Sequence, residues 1–290
     1  MRKYLYIGIA LMAASMGAAC SGSSESDNNN GANGSEGVVS SFEVRQSIKS
    51  AARSFEIKTD DGNVYLTLST SVQWPEEFGQ FKIDVLEDSL SSLMYKKAVT
   101  TDGIDPLMAK FVSTVPDEVA MGNPSTPVDS VPSGEGVSAW SIDVSGKILE
   151  FTKKTVTYEV STYSFLGGAH PTTLTQPFSY DLAAGQVLTL ANMFKKGSEA
   201  AVLKVVAQNL ADNYDVAPTA LDKAGFLVSS LEKLGMPYIY NNAIVFRYDP
   251  YDIAPYAMGA VNVEVYPAQL AEYMTPEFAR LMEVEDLDVE

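Results

Sequence analysis

Apolar and polar residues alternate from Phe42 to Ile48, through Phe42 and Val44 and then Ile48 after a slip. They alternate again from Asn63 to Val72, through Val64, Leu66 and Leu68. A period of two sends successive side chains to opposite faces of an extended chain, so both segments are expected as strands, with Asp61-Gly62 between them as a turn. After Trp74-Pro75 the spacing changes to three and four residues: Phe78, Phe81, Ile83, Val85, Leu86, Leu90, Leu93 and Met94. That spacing predicts an amphipathic helix of about 18 residues. From Asp117 to Gly136, prolines, serines and glycines interrupt the pattern, which reads as a long loop or a seam between two halves.

Beyond that seam, Val156, Tyr158 and Val160 alternate within Thr155 to Ser164, and Thr172 to Asp181 has strand-like composition. Gly167-Gly168-Ala169-His170-Pro171 lies between them, so two long strands meeting at a glycine-rich corner are expected. Leu188 to Phe194 and Glu199 to Leu210 read as a short and a longer helix, the second with Val202, Val205, Val206 and Leu210 on one face. Tyr238 to Tyr248 reads as a hairpin around Asn241-Asn242, Ala260 to Tyr266 as a strand, and Pro267 to Met282 as helical, ahead of an acidic tail. Strands and helices cluster rather than alternate. The expected class is therefore α+β, a mainly antiparallel sheet packed with helices, in two adjoining modules at 38–120 and 137–290.

The extreme N-terminus has a different character. Arg2 and Lys3 precede an uncharged run from Tyr4 to Ala19 that ends in Gly17-Ala18-Ala19 before Cys20. A basic start, a short apolar run and small residues before a cysteine fit a lipoprotein signal peptide over 1–19, with Cys20 as the lipidation site. The run is shorter than the roughly 20 residues of a spanning helix. A free cysteine behind an ordinary signal peptide is the alternative, and it would leave an exposed thiol in an oxidising compartment. With one cysteine in the chain no disulfide framework is available. Residues 20–37, rich in Ser, Gly, Asn, Asp and Glu, are expected as a disordered tether. Glu25 and Asp27 behind the cysteine resemble tethers that route lipoproteins to the outer membrane, so the expected location is the cell envelope, lipid-anchored.

The formal net charge is −17, and loss of Arg2 and Lys3 would make it more negative by two. Such a chain repels phosphate backbones and anionic headgroups, which disfavours nucleic acid and any basic-patch membrane contact. Membrane association is expected only through the N-terminal lipid.

Three segments together carry a resemblance. They are Tyr163 to Pro171; Phe178-Ser179-Tyr180-Asp181-Leu182 with Gly185 and Leu188-Thr189-Leu190; and Phe246 to Gly259, which contains Pro250-Tyr251-Asp252-Ile253-Ala254-Pro255-Tyr256. This set resembles the accessory domain of RsiV/PdaC-type extracytoplasmic proteins, over about 155 to 275. The resemblance implies lysozyme binding, as in RsiV-like anti-sigma factors, or association with the cell wall, as in PdaC-like deacetylases. Neither the cytoplasmic sigma-binding segment of the first group nor the metal-dependent catalytic domain of the second is expected in this chain.

Candidate chemistry is sparse. His170 is the single histidine, so any Ser-His-Asp or Cys-His arrangement would need it, and a His/Cys zinc site cannot be assembled. No EF-hand-like loop, GxSxG, P-loop or GxGxxG is present, and neither a cofactor nor a metal is expected. His170 either fixes the strand corner or contacts a ligand. Tyr238, Tyr240, Tyr248, Tyr251 and Tyr256 either stack on a ligand or support the core, and Asp252 is either an acidic contact or a helix N-cap. The candidate binding residues are thus Gly167, Gly168, His170, Tyr251, Asp252 and Tyr256. The expected function is a non-catalytic envelope binding protein whose partner is a cell-wall glycan or a lysozyme-like protein. A peptidoglycan hydrolase or deacetylase is the rival from another class.

Overall fold

The computed structural model describes residues 42–284 apart from Thr100. The expected signal peptide, Cys20, the tether and the end of the acidic tail lie outside the described residues. In chain order the elements are β1 (Val44–Thr59), β2 (Gly62–Phe78), α1 (Asp84–Tyr95), α2 (Asp105–Ser113), α3 (Asp117–Ala120), β3 (Ser125–Val128) and β4 (Ser138–Phe151). Then come β5 (Thr155–Phe165), β6 (Thr172–Asp181), β7 (Gln186–Val187), α4 (Leu190–Met193), α5 (Glu199–Asn213), β8 (Met236–Tyr240), β9 (Ala243–Tyr248), β10 (Val261–Val265) and α6 (Pro276–Leu281). The class is α+β with mainly antiparallel sheet.

Seven strands form one sheet in the order β3-β1-β2-β4-β5-β6-β7, and three form a second in the order β10-β9-β8. Among the described strands β2 and β4 pair in parallel; the other pairs are antiparallel. The 117–136 segment carries α3 and β3, with β3 hydrogen-bonded to β1, and delivers the chain to β4 beside β2. The large sheet therefore continues through both expected halves.

Alternation explains which face is buried. Leu66, Leu68, Val72 and Trp74 of β2, with Val156, Tyr158 and Val160 of β5, are buried on the side that α1 and α2 cover. Leu86, Leu90 and Met94 of α1 recur every four residues and are buried there too. Gly146 of β4 lies under this helix: an added Cβ would stand 3.1 Å from Met94 and 3.2 Å from Leu90. The second core lies between the small sheet and α5, where Val202, Val206 and Leu210 meet Ile244, Phe246, Tyr248, Val263 and Val265. Burial pushes the Tyr248 hydroxyl up to about 12, against the opposing effect of its backbone hydrogen bond.

Three expectations are corrected. The helix expected from Phe78 begins at Asp84, because β2 runs on to Phe78 and Gly79, at φ 56°, turns the chain. Pro75 sits inside β2 beside the register shift at Arg45/Gln46, the kind of irregularity where a ladder tolerates proline. The C-terminal helix is divided into two short 3-10 turns, at 267–269 and 271–273, and then α6. Pro276 disfavours helical backbone at Thr275, which is extended (ψ 152°) and accepts the Phe278 N–H as an N-cap. Strand β4 and helix α2 have no counterpart in the sequence reading. The hairpin at Asn241-Asn242 agrees with it: both residues have positive φ (56° and 61°), as a two-residue primed turn requires.

The two sheets are joined by a closed ring of hydrogen bonds. Ile239 of edge strand β8 donates its N–H to Ser179 Oγ (2.7 Å) and accepts from Thr157 Oγ1 (2.8 Å); the two hydroxyls are 2.6 Å apart. Thr157 gives its proton to Ile239, so the Ser179 proton is the one shared between the hydroxyls. Each group is satisfied, in a place where Thr157 and Ser179 are buried.

Candidate functional site

The corner between β5 and β6 is shaped by Gly167, whose φ of 74° lies in the left-handed region that favours glycine. A Cβ there would also stand 2.6 Å from Trp140 Nε1, so the corner rests against the Trp140 ring at the start of β4. Gly168 has open space around it. Both glycines thus act in the structure as backbone, one through conformation and contact and the other through exposure.

His170 follows on the exposed tip of this corner. Its Nδ1 lies 3.0 Å from the Pro171 carbonyl oxygen. A carbonyl only accepts, so Nδ1 carries the proton of that bond. Tyr256 donates its hydroxyl to the same carbonyl at 3.1 Å, across 85 positions of sequence. The His170 and Tyr256 rings stack at 4.6 Å with 24° between their planes. Tyr251 stacks on Tyr256 at 6.0 Å and 28°. The result is a ladder of three rings, with Tyr251 63% and Tyr256 38% exposed.

The bend after β9 sets the two tyrosines. Asp252 Oδ2 accepts the Asp249 N–H at 3.0 Å, and the Tyr251 N–H is bonded to the Ala254 carbonyl at 2.9 Å, while Ile253 and Ala254 are buried beneath. Tyr251 is held at φ 73°. A non-glycine residue there costs on the order of 1–2 kcal/mol, and such strain persists only where the surroundings over-determine it. Asp252 is not a helix N-cap, since Pro255 precedes the following 3-10 turn; it closes the bend and lies 3.6 Å from Lys233 Nζ. Of the remaining tyrosines, Tyr238 and Tyr248 are core and Tyr240 is partly exposed at the hairpin end.

Beside the ladder is a cavity of about 410 Å³ whose lining includes Thr173, Thr175, Arg247, Tyr256 and Met258. Arg247 was not singled out in the sequence. The available signal was an arginine in the apolar run Ala243–Tyr248, where a charge needs a reason. Its Nε donates to Asp249 Oδ1 at 3.0 Å, and the side chain is only 12% exposed. A larger cavity of about 700 Å³ lies elsewhere, between α1, β6, the β7–α4 turn and β8, and its lining includes Leu93, Phe178, Leu188 and Met236. None of its lining residues is charged, and its few polar side chains, Ser89, Ser92, Gln176 and Thr189, stand in a mainly apolar wall. Among the described residues, no three His, Cys, Asp or Glu side chains gather to hold a metal ion, and no helix is long and apolar enough to cross a membrane.

Residues 191–266 match the family model described as protein of unknown function, DUF3298. The chain is 26% identical over 140 residues to the peptidoglycan-N-acetylmuramic acid deacetylase PdaC of Bacillus subtilis (strain 168). That alignment covers 47% of this chain and 30% of PdaC, so the similarity concerns under a third of the relative's length. Two solved structures share the fold. A DUF3298 family member from Bacteroides fragilis has a TM-score of 0.59 at 18% identity, over 83% of this chain and 98% of its own. A DUF3298 family protein from Pseudomonas aeruginosa has a TM-score of 0.51 at 17% identity, over 82% and 96%. The bend at 249–259 and Arg247 fall inside the matched domain, and the His170 corner falls before it.

Proposed function

We propose that this protein is a lipid-anchored binding protein of the bacterial cell envelope that holds a cell-wall glycan and performs no chemistry on it. The observation that carries the reading is the exposed Tyr251–Tyr256–His170 ladder, built across two distant segments and held by a strained backbone. Flat aromatic faces suit the apolar C–H faces of sugar rings, and the hydroxyl and imidazole edges supply hydrogen bonds beside them. Distant similarity to a protein named for peptidoglycan deacetylation supports a cell-wall setting. For the chemistry of a hydrolase or deacetylase, His170 is the one histidine to draw on, and its Nδ1 is committed to Pro171.

The double variant Tyr251→Ala/Tyr256→Ala tests this directly. Two stacking contacts of about 0.5–1.5 kcal/mol each predict a loss of roughly tenfold in retention on insoluble peptidoglycan. Circular dichroism should show the fold retained, and unchanged retention by the folded variant would sink the reading. A lysozyme-like partner is the second reading, favoured by the net charge of −17, which attracts cationic enzymes at low salt. Co-elution with lysozyme that survives the double variant would favour it.

Anchoring through Cys20 is a separate part of the proposal. Replacing it, Cys20→Ser, should move the protein from the membrane pellet to the soluble fraction of fractionated cells, since stable attachment needs the acyl chains. Continued sedimentation with the membranes would reject lipidation at this residue.

A further inference from the structure

We infer that the cavity beside the aromatic ladder binds the carboxylate of an acidic sugar, with Arg247 as the group that receives it; this rests on the glycan-binding reading above. Arg247 stands on β9 next to buried Phe246 and Tyr248, with a side chain only 12% exposed. A guanidinium carries five N–H donors. One, on Nε, goes to Asp249. No hydrogen bond to either terminal nitrogen is made among the described residues, although the side chain lines the cavity. Neither terminal nitrogen is among the buried polar atoms that lack a partner, so these donors face the open cavity, where a ligand can receive them in place of water.

The bond to Asp249 leaves the guanidinium's outer edge available and fixes its plane, the geometry in which arginine takes a carboxylate with two parallel hydrogen bonds. Asp249 offsets part of the charge, so the pocket selects by geometry and local pairing rather than by a strong field. The lining contains no carboxylate to oppose an incoming anion. Its other polar side chains, Thr173, Thr175 and Tyr256, are hydroxyls suited to sugar oxygens. At about 410 Å³ the space falls in the range of small-molecule sites. Tyr256 belongs to both the cavity wall and the ladder. One ligand can therefore lay a ring on the aromatic face and place an acidic substituent against Arg247. Two kinds of sugar supply that chemistry, those with a carboxylate on an ether arm, as in N-acetylmuramic acid, and uronic acids with it on the ring.

Calorimetric titration of the full-length protein in detergent separates the possibilities. The ligands are the N-acetylglucosamine–N-acetylmuramic acid disaccharide, its methyl ester, di-N-acetylchitobiose and digalacturonic acid. The wild-type protein should bind at least one of the two acids tenfold or more tightly than chitobiose, as a charge-assisted pair implies. Which acid wins identifies the source of the carboxylate. If the muramic acid disaccharide wins, its uncharged methyl ester should fall to the chitobiose level, a comparison that needs no variant to fold. Arg247→Gln should erase the preference for the acid over its ester and chitobiose. Equal binding of acids, ester and chitobiose overturns the carboxylate pocket and leaves the glycan reading standing. Binding of none of the four overturns both.

Discussion

Phe246→Ala should lower the unfolding free energy by about 3–5 kcal/mol, the cost of truncating a buried aromatic and leaving a cavity. Phe246 is fully buried at the centre of β9, the middle strand of the small sheet. Its ring stacks on Phe194 at 6.2 Å, and Phe194 in turn meets Phe278 of α6 edge-on at 6.1 Å. The substitution therefore loosens a chain of rings that ties the α4 turn and the C-terminal helix to the sheet. In a domain of this size each 1 kcal/mol corresponds to roughly 2–4 °C, so the melting temperature should drop by about 6–20 °C. A drop under 3 °C in a thermal melt would mean that this packing contributes little to the folded state.

Ser179→Ala is expected to cost about 1–3 kcal/mol although it removes one atom, because it strips a partner from the buried Ile239 N–H. The same variant takes away the proton shared with Thr157. Thr157→Val should cost a similar amount through the Ile239 carbonyl, and the double variant should cost less than the two singles added, since the ring is already broken by either. Denaturant unfolding of the three variants measures this. Additive losses would show that the hydroxyls act as separate contacts and not as one ring.

The parts of the fold that were legible in the sequence are those where local chemistry and tertiary structure agree. Asn241 and Asn242 demand a tight turn whatever surrounds them, and Val156, Tyr158 and Val160 share one face, as their alternation predicts, although Thr155 and Thr157 on the other face are buried too. Strand β4 was missed because it carries Gly146 at the position that faces α1 and follows a stretch of proline and glycine. The expected start of α1 at Phe78 is too early because Phe78 fits the end of a strand as well as the first turn of a helix, and only Gly79 at positive φ separates the two. In the site, the Gly167–His170 corner and the Tyr251–Tyr256 bend were visible as motifs. Their meeting was not, since no local signal connects His170 to Tyr256. Arg247 could have been found as a cation within an apolar run, but its pairing with Asp249 and its place at the cavity are properties of the assembled sheet.

The parallel ladder between β2 and β4 constrains the order in which this protein acquires structure. Its register joins Val64–Val72 to Ser138–Gly146, and Ser69 reaches Asp143 at 2.8 Å across 74 positions. Closing so long a loop is entropically unfavourable before the pairing rewards it, whereas the β1–β2 hairpin closes through the two residues Asp60 and Asp61. The hairpin therefore forms first and waits with one edge of β2 unpaired until β4 arrives. During that interval the open edge accepts any extended chain, including β2 from a second molecule. Refolding yield should accordingly depend on protein concentration more than the stability of the finished sheet would suggest.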